Sequence, residues 1–379
     1  MSTPNSNASL FIGLMSGTSL DGVDGILASF SDDGVLRQTL AAAYVPFPDA
    51  LRADLMALQT AGADEIHREA ISANALVKYY AECVAALLQE AHIAADRITA
   101  IGVHGQTIRH RPEAGYTRQI NNPALLAELT SIDVIADLRS RDIAAGGQGA
   151  PLVPAFHRAL FSASNENRVV VNIGGIANIS VLPSDSNAPV NGFDTGPGNV
   201  LMDAWIAQHN GQAYDADGAW AKTGKVNAEL LKELRDEPFF DAPPPKSTGR
   251  DLFHPAWLAQ KLENFPGLAS ADVQATLAIF TATTLSDAIV RHAPQTQAVY
   301  ICGGGAYNSY LLTLIHYALK LHNPAIRVES TEALGVAPNQ VEALAFAWLA
   351  QRFHVREPGN LPSVTGARGL RILGALYPA

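Results

Sequence analysis

The chain has 379 residues, more than one compact core usually holds, and 48% of them are hydrophobic, enough to fill two domains. A formal charge of −10 argues against a broad surface for nucleic acid or anionic membrane, so any phosphate site has to be local. The only cysteines, Cys83 and Cys302, do not make a disulfide framework; both read as packing thiols, and a reducing cytosol fits.

Residues 1–9 are polar, without the basic region and apolar core of a signal peptide, and read as a disordered tail. No later stretch reads as an uninterrupted apolar span, so a soluble cytoplasmic protein is expected. Phe11 to Ala28 then gives an apolar run, a Gly/Ser/Thr/Asp turn and a second apolar run, a hairpin whose turn can hold phosphate. From Ile71 to Leu88 apolar residues recur at helical spacing, predicting an amphipathic helix. Ile98–Thr107 reads as a strand ending in polar residues, where open α/β sheets bind ligands. Ile132–Leu138 reads as another strand, and the glycine-rich loop Arg139–Gly149 as a hinge.

The second half repeats the plan. Val169–Leu182 is again strand, glycine turn, strand, and Gly192–Asn199 reads as a glycine-flanked turn before a helix from Val200 to about His209, with Asn199 as its N-cap. Asp241–Asp251, with three consecutive prolines, reads as a stiff surface loop. A helix is predicted over Ala271–His292, a strand and glycine turn over Ala298–Asn308, and a last helix over Val341–Phe353. The resulting division is lobe I over 10–138, a hinge and inter-lobe segment over 139–168, lobe II over 169–353, and a C-terminal segment 354–379 that can return to lobe I.

Familiar phosphate motifs fail. Gly224-Lys225 is followed by Val226 and lacks Walker A glycine spacing, and Gly303-Gly304-Gly305-Ala306-Tyr307-Asn308 lacks the last glycine of a dinucleotide fingerprint. The eleven histidines are scattered, and His104 and His110 have no zinc-type partners, so the metal ligands stay unassigned.

Two hairpin turns and a triple-glycine strand–helix turn are parts of the two-lobed actin/sugar-kinase/Hsp70-like ATPase fold, an α/β architecture with a nucleotide cleft between lobes. Met15–Asp24, His104-Gly105-Gln106-Thr107, Asn172–Asn178, Phe193–Asn199, Pro244–Arg250 and Cys302–Gly305, in this order, resemble the anhydro-N-acetylmuramic acid kinase family over nearly the whole chain. The resemblance implies an enzyme of peptidoglycan recycling that opens the 1,6-anhydro ring of 1,6-anhydro-N-acetylmuramic acid with water and phosphorylates the freed O6 from ATP. The product is N-acetylmuramic acid 6-phosphate. It also implies Mg²⁺, an amino-sugar substrate, no nucleic-acid or membrane partner and, at the family level, a homodimer.

From the residues alone, Asp194 reads either as an aspartate fixing its own turn or as a base beside a phosphate turn, and the resemblance favours the base. Gly17, Thr18, Ser19, Leu20, Asp21, Gly22, Val23 and Asp24 match the family's first ATP loop, with Asp21 or Asp24 suited to hydrated Mg²⁺. Gly174, Gly175, Gly303 and Gly304 are expected against phosphate or adenosine. His104, Gln106, Arg139 and Asp142 are expected to line the sugar site, the arginine pairing with the lactyl carboxylate. Glu342 is a second acid candidate, set against a helix-capping role through Asn339. An ordinary hexose or amino-sugar kinase of the same fold and, more distantly, a nucleotide-switched binding module are the alternatives.

Overall fold

The computed structural model describes residues 8–17, 19–249 and 251–379. Residues 1–7 of the expected tail, the loop residue Thr18 and the motif residue Arg250 lie outside the described residues. Of the expected tail, Ser9 already opens a strand. The chain divides into two compact units, one running to Leu160 and resuming from Gln340 to Ala379, the other spanning Phe161–Asn339.

In the first unit, β1 (Ser9–Met15), β2 (Gly22–Phe30) and β3 (Leu36–Pro46) form an antiparallel meander, and β4 (Ala100–Val103) pairs parallel with β1. A side hairpin of β5 (Gln106–Arg111) and β6 (Tyr116–Ile120) precedes β7 (Val134–Ala136), which is parallel to β4. The sheet order is β7-β4-β1-β2-β3, with the short terminal strand Ala375–Tyr377 antiparallel on β7. The Glu65–Ala91 helix covers one face, burying Ala73, Leu76, Val77, Tyr80, Cys83, Val84 and Leu87 at helical spacing. The Val341–His354 helix covers the other. It lies so close that a Cβ on Gly13 would stand 1.9 Å from the Ala343 carbonyl oxygen, and one on Gly102 2.1 Å from that of Phe346. Glycine at these two strand positions lets the helix backbone rest directly on the sheet. This contact corrects the expected boundaries: the helix assigned to lobe II belongs to the first unit, as do residues 139–160 of the expected hinge.

The second unit repeats the strand order. β8 (Arg168–Ile173), β9 (Ile176–Leu182) and β10 (Asn191–Pro197) are antiparallel neighbours, while β11 (Ala298–Cys302) and β12 (Arg327–Ser330) continue in parallel, giving β10-β9-β8-β11-β12. Phe193-Asp194-Thr195-Gly196 is therefore a strand rather than the expected turn. Asp194 faces Asn178 and Gly196 faces Ala177, leaving Thr195 bulged between them, and Gly196 carries the φ of +141° that the irregularity requires. The Ser270–His292 helix forms the core of this unit. It is long and apolar enough to cross a membrane by length and composition, contrary to the sequence reading, but 72% of its apolar window is buried within the protein. Its Thr281 hydroxyl donates to the Pro197 and Gly198 carbonyls at 3.1 and 2.9 Å, tying down the end of β10.

Candidate active site

Candidate site residues of the first unit gather where β1 and β4 end. The β1–β2 turn is braced from within: the Leu20 amide donates to the Gly17 carbonyl at 3.2 Å, Ser19 Oγ to Asp21 Oδ1 at 2.6 Å, and Ser16 shares a 2.6 Å hydrogen bond with Tyr80. Gln106 Nε2 donates to the Gly17 carbonyl at 3.0 Å, so the strand-end motif and the turn hold each other. Leu20 and Val23 are core residues, and a Cβ on Gly22 would meet the Tyr44 ring at 2.6 Å, so these three offer a ligand only backbone. At Gly17 only Ser19 Oγ, 3.7 Å away, approaches the Cβ position among the described residues beyond its chain neighbours, which leaves room for a ligand against the backbone.

Asp24 and Glu342 differ from ordinary surface acids. Burial first, then the charges of Asp21 and Glu342, push the Asp24 carboxyl up to about 7. Burial raises Glu342 too, against the opposing pull of the Arg139 guanidinium. The capping role weighed for Glu342 is absent: the helix starts without a side-chain cap, and Asn339 Oδ1 instead accepts from the Tyr307 hydroxyl at 2.8 Å. Arg139 donates to His104 Nε2 from Nε and Nη2 at 3.1 and 2.9 Å and to the Gly149 carbonyl at 2.8 Å. Burial brings its guanidinium down to about 10, while Glu342 and Asp142 pull the other way. His104 is buried against Phe346 at a ring distance of 4.9 Å, and burial beside Arg139 pushes it well below the ordinary histidine range. With Nε2 accepting, the proton of the neutral ring belongs on Nδ1.

Asp142 is a correction. It is fully buried, with Oδ1 accepting from Asn360 Nδ2 at 2.7 Å and Thr365 Oγ1 at 2.8 Å, and Oδ2 from the Gly149 amide at 2.8 Å. Three internal donors occupy a carboxylate whose place in the loop after a strand pointed to sugar contact, and both its oxygens are engaged within the protein. It ties the loop carrying Gly149, and through it Arg139, to the C-terminal segment. Asn121, missed in the sequence, lies at the same strand end, its Cβ 3.4 Å from where a Cβ on Gly105 would stand: both its amide atoms are buried with no partner among the described residues, as is Gln106 Oε1, whereas the His104 ring is hydrogen-bonded toward the Ser16 and Gly105 backbone. Asn121-Asn122-Pro123 reads as a helix start, and Asn122 does cap the Pro123–Thr130 helix, but one cap needs only one asparagine. Buried polar atoms left unpaired by the protein are suited to a polar ligand.

In the second unit, Gly174 and Gly175 turn between β8 and β9. Their carbonyls take the amides of Gly198, Asn199 and Val200 at 2.9, 2.8 and 3.1 Å, so the start of the Val200–Asn210 helix is committed to the glycine turn. Asn199 sits at the cap position without a side-chain cap bond. The Cβ positions of Gly174, Gly175 and Gly304 meet nothing nearer than 3.7, 3.8 and 4.0 Å, so neighbouring packing does not demand glycine there. Gly303 is explained internally: its φ is +81°, and a Cβ would lie 2.3 Å from Asn172 Oδ1.

Asp194 lies on β10, partly buried. Its amide donates to the Lys246 carbonyl at 3.1 Å, and its Oδ2 accepts from the Thr248 amide at 3.0 Å. Burial raises the carboxyl to about 6, the Thr248 amide pulling the other way. Oδ1 accepts no hydrogen bond among the described residues. A carboxylate poised near neutrality with one oxygen anchored and one uncommitted is equipped to take a proton from a hydroxyl or water.

Each unit thus carries three antiparallel strands continued by two parallel ones in the order third, second, first, fourth, fifth, with a glycine-containing turn between the first two. That duplicated α/β order is the one expected of the actin/sugar-kinase/Hsp70-like fold. A solved ROK family glucokinase from Streptomyces griseus aligns with 89% of this chain and 98% of its own at a TM-score of 0.41 and 13% identity. The anhydro-N-acetylmuramic acid kinase family matches residues 9–379. The anhydro-N-acetylmuramic acid kinase of Bordetella petrii is 59% identical over 98% of this chain and 96% of its own, and that of Burkholderia orbicola (strain MC0-3) 58% identical over 97% and 96%. The chain belongs to the anhydro-N-acetylmuramic acid kinase family, enzymes of peptidoglycan recycling that use ATP.

Proposed function

We propose that Asp194 is the base of a coupled hydrolysis and phosphoryl transfer on 1,6-anhydro-N-acetylmuramic acid. The anhydro sugar has no free 6-hydroxyl, so one must be released as it is captured. Asp194 takes a proton from water, the water oxygen bonds to C1, the C1–O6 bond breaks, and O6 attacks the γ-phosphorus as its bond to ADP breaks. The observation that carries the reading is the Asp194 carboxylate itself, raised to about 6 and tethered through one oxygen only. Gly17, Gly174, Gly175 and Gly304 supply backbone for ATP, their open Cβ positions supporting that assignment. The polar atoms of Gln106 and Asn121 that have no partner among the described residues suit sugar hydroxyl and acetamido groups, with His104 beside them. Arg139 suits the lactyl carboxylate, and Glu342 stands as the second acid.

Mg²⁺ belongs to the same reading. Asp21 and Asp24 provide only hard oxygen donors, and among the described residues no three His, Cys, Asp or Glu side chains converge to hold a bare ion. That donor set fits an ion kept in its water shell and neutralising the phosphates. A cytoplasmic location and a homodimer complete the proposal.

The test compares sugars. With Mg-ATP, ADP release should depend on 1,6-anhydro-N-acetylmuramic acid and yield a sugar 6-phosphate. Equal turnover of N-acetylglucosamine would point to an ordinary amino-sugar kinase, and sugar-independent ADP release to a nucleotide-switched module.

A further inference from the structure

Lysines beside the phosphate turns of a kinase invite assignment to phosphate, yet Lys246 is already committed elsewhere. Its Nζ donates to the Phe239 carbonyl at 2.9 Å and the Phe240 carbonyl at 3.2 Å, and stands 4.6 Å from the centre of the Phe239 ring. Both carbonyls belong to the short Pro238–Asp241 helix; that of Phe239 also accepts the Ala242 amide at 3.3 Å, and that of Phe240 also accepts from Arg291 Nη1 at 3.5 Å. That helix is anchored in turn. The Phe240 ring packs edge-on against Phe280 at 5.6 Å and beside Phe253 at 5.9 Å, and it fills the space a Cβ on Gly196 would need, 2.8 Å away.

From this anchor the backbone of residues 246–248 runs alongside β10. It accepts the Asp194 amide on the Lys246 carbonyl and donates the Thr248 amide to Asp194 Oδ2. We infer that Lys246 is a positioning residue for Asp194: its ammonium staples this segment to the Pro238–Asp241 helix, so that the Thr248 amide holds Oδ2 and Oδ1 is presented to the water. The inference rests on the reading of Asp194 as the base. Charged groups around the staple are Arg291 and His292 from the Ser270–His292 helix and Asp241 from the short helix. Asp194 itself responds to burial and to the Thr248 amide.

Lys246→Met keeps the apolar stem over Phe239 and removes the donors, freeing the segment. Steady-state kinetics for sugar and ATP and the pH profile of kcat would be measured with the wild type, Lys246→Met, Lys246→Arg and Asp194→Asn. The expected result is a kcat about 100-fold lower in Lys246→Met, with KM for ATP unchanged. The acid limb of its profile should move to higher pH, because the amide that holds the Asp194 carboxyl down is no longer in place. Lys246→Arg should recover part of both, since it restores a cation with donors for the two carbonyls. If Lys246→Met does not fold, Lys246→Arg carries the test: its different donor geometry should shift the limb in the same direction by less. An unchanged kcat and limb, or a higher KM for ATP at constant kcat, overturns the inference, the latter showing a phosphate contact. Failure of the underlying reading looks different: Asp194→Asn would stay active and the wild type would show no limb near pH 6.

Discussion

The two units share one strand order and differ in what their first turn and third strand carry. In the first unit the β1–β2 turn is built from side chains, Ser16, Ser19 and Asp21, with Asp24 raised to about 7 just beyond it, and the third strand β3 holds no carboxylate. In the second, the β8–β9 turn is bare glycine and the third strand carries Asp194. A scaffold built twice places two turns in equivalent positions; the side chains decide that one is an acidic loop and the other lies beside the proposed base. The difference teaches that topology locates a site here without determining its chemistry.

The sharpest way to break this contrast is to neutralise the proposed base. Asp194→Asn retains the Thr248 contact and the strand geometry but cannot take a proton, so kcat should fall about 10³-fold while nucleotide binding by calorimetry persists. The wild-type kcat should likewise decline as pH falls through about 6, since the raised carboxyl is ionised and active only above that value. A profile flat to pH 5 would separate Asp194 from the proton transfer.

The next effect concerns the first unit. Asp142→Asn replaces an acceptor of three hydrogen bonds with an amide whose NH₂ must face a donor, so stability should drop by about 3 kcal/mol in chemical denaturation. KM for the sugar should rise as the Gly149 carbonyl releases Arg139. An unchanged KM at lowered stability would reduce the network to a structural one.

Smallest and most discriminating is a pair of neighbouring glycines. A Cβ at Gly305 would lie 2.3 Å from Ile173 Cγ2, whereas at Gly304 the nearest atom is 4.0 Å away. Gly305→Ala should therefore lower Tm, by about 1–3 kcal/mol of overpacking. Gly304→Ala should leave Tm alone and raise KM for ATP roughly tenfold, about 1.4 kcal/mol of lost binding. The reverse pattern would dissociate the open glycine from the nucleotide.

Much of the fold was legible because its signals are local. Both hairpins, the Glu65–Ala91 helix and the Ser270–His292 helix announce themselves in alternation or helical periodicity, and the boundaries move by only a few residues. What was hidden depended on distant partners. Asp142 looks like loop polarity until Asn360 and Thr365, more than two hundred residues away, are seen to saturate it. Thr195-Gly196-Pro197 has the composition of a turn, and only pairing with β9 makes it a bulged strand. The Val341–His354 helix joins the first unit because Gly13 and Gly102 leave space for it, a reason no local pattern carries. Asn121 lies in no motif of the sequence, and only its burial without a partner among the described residues singles it out.

The most direct measurement is a short incubation of the enzyme with Mg-ATP and 1,6-anhydro-N-acetylmuramic acid in ¹⁸O-labelled water, quenched early, with the product read by mass spectrometry. Wild type should give a sugar 6-phosphate bearing one heavy oxygen at C1, and Asp194→Asn essentially none. An unlabelled C1 in the phosphorylated product, or labelled product from Asp194→Asn at the wild-type rate, would contradict the account.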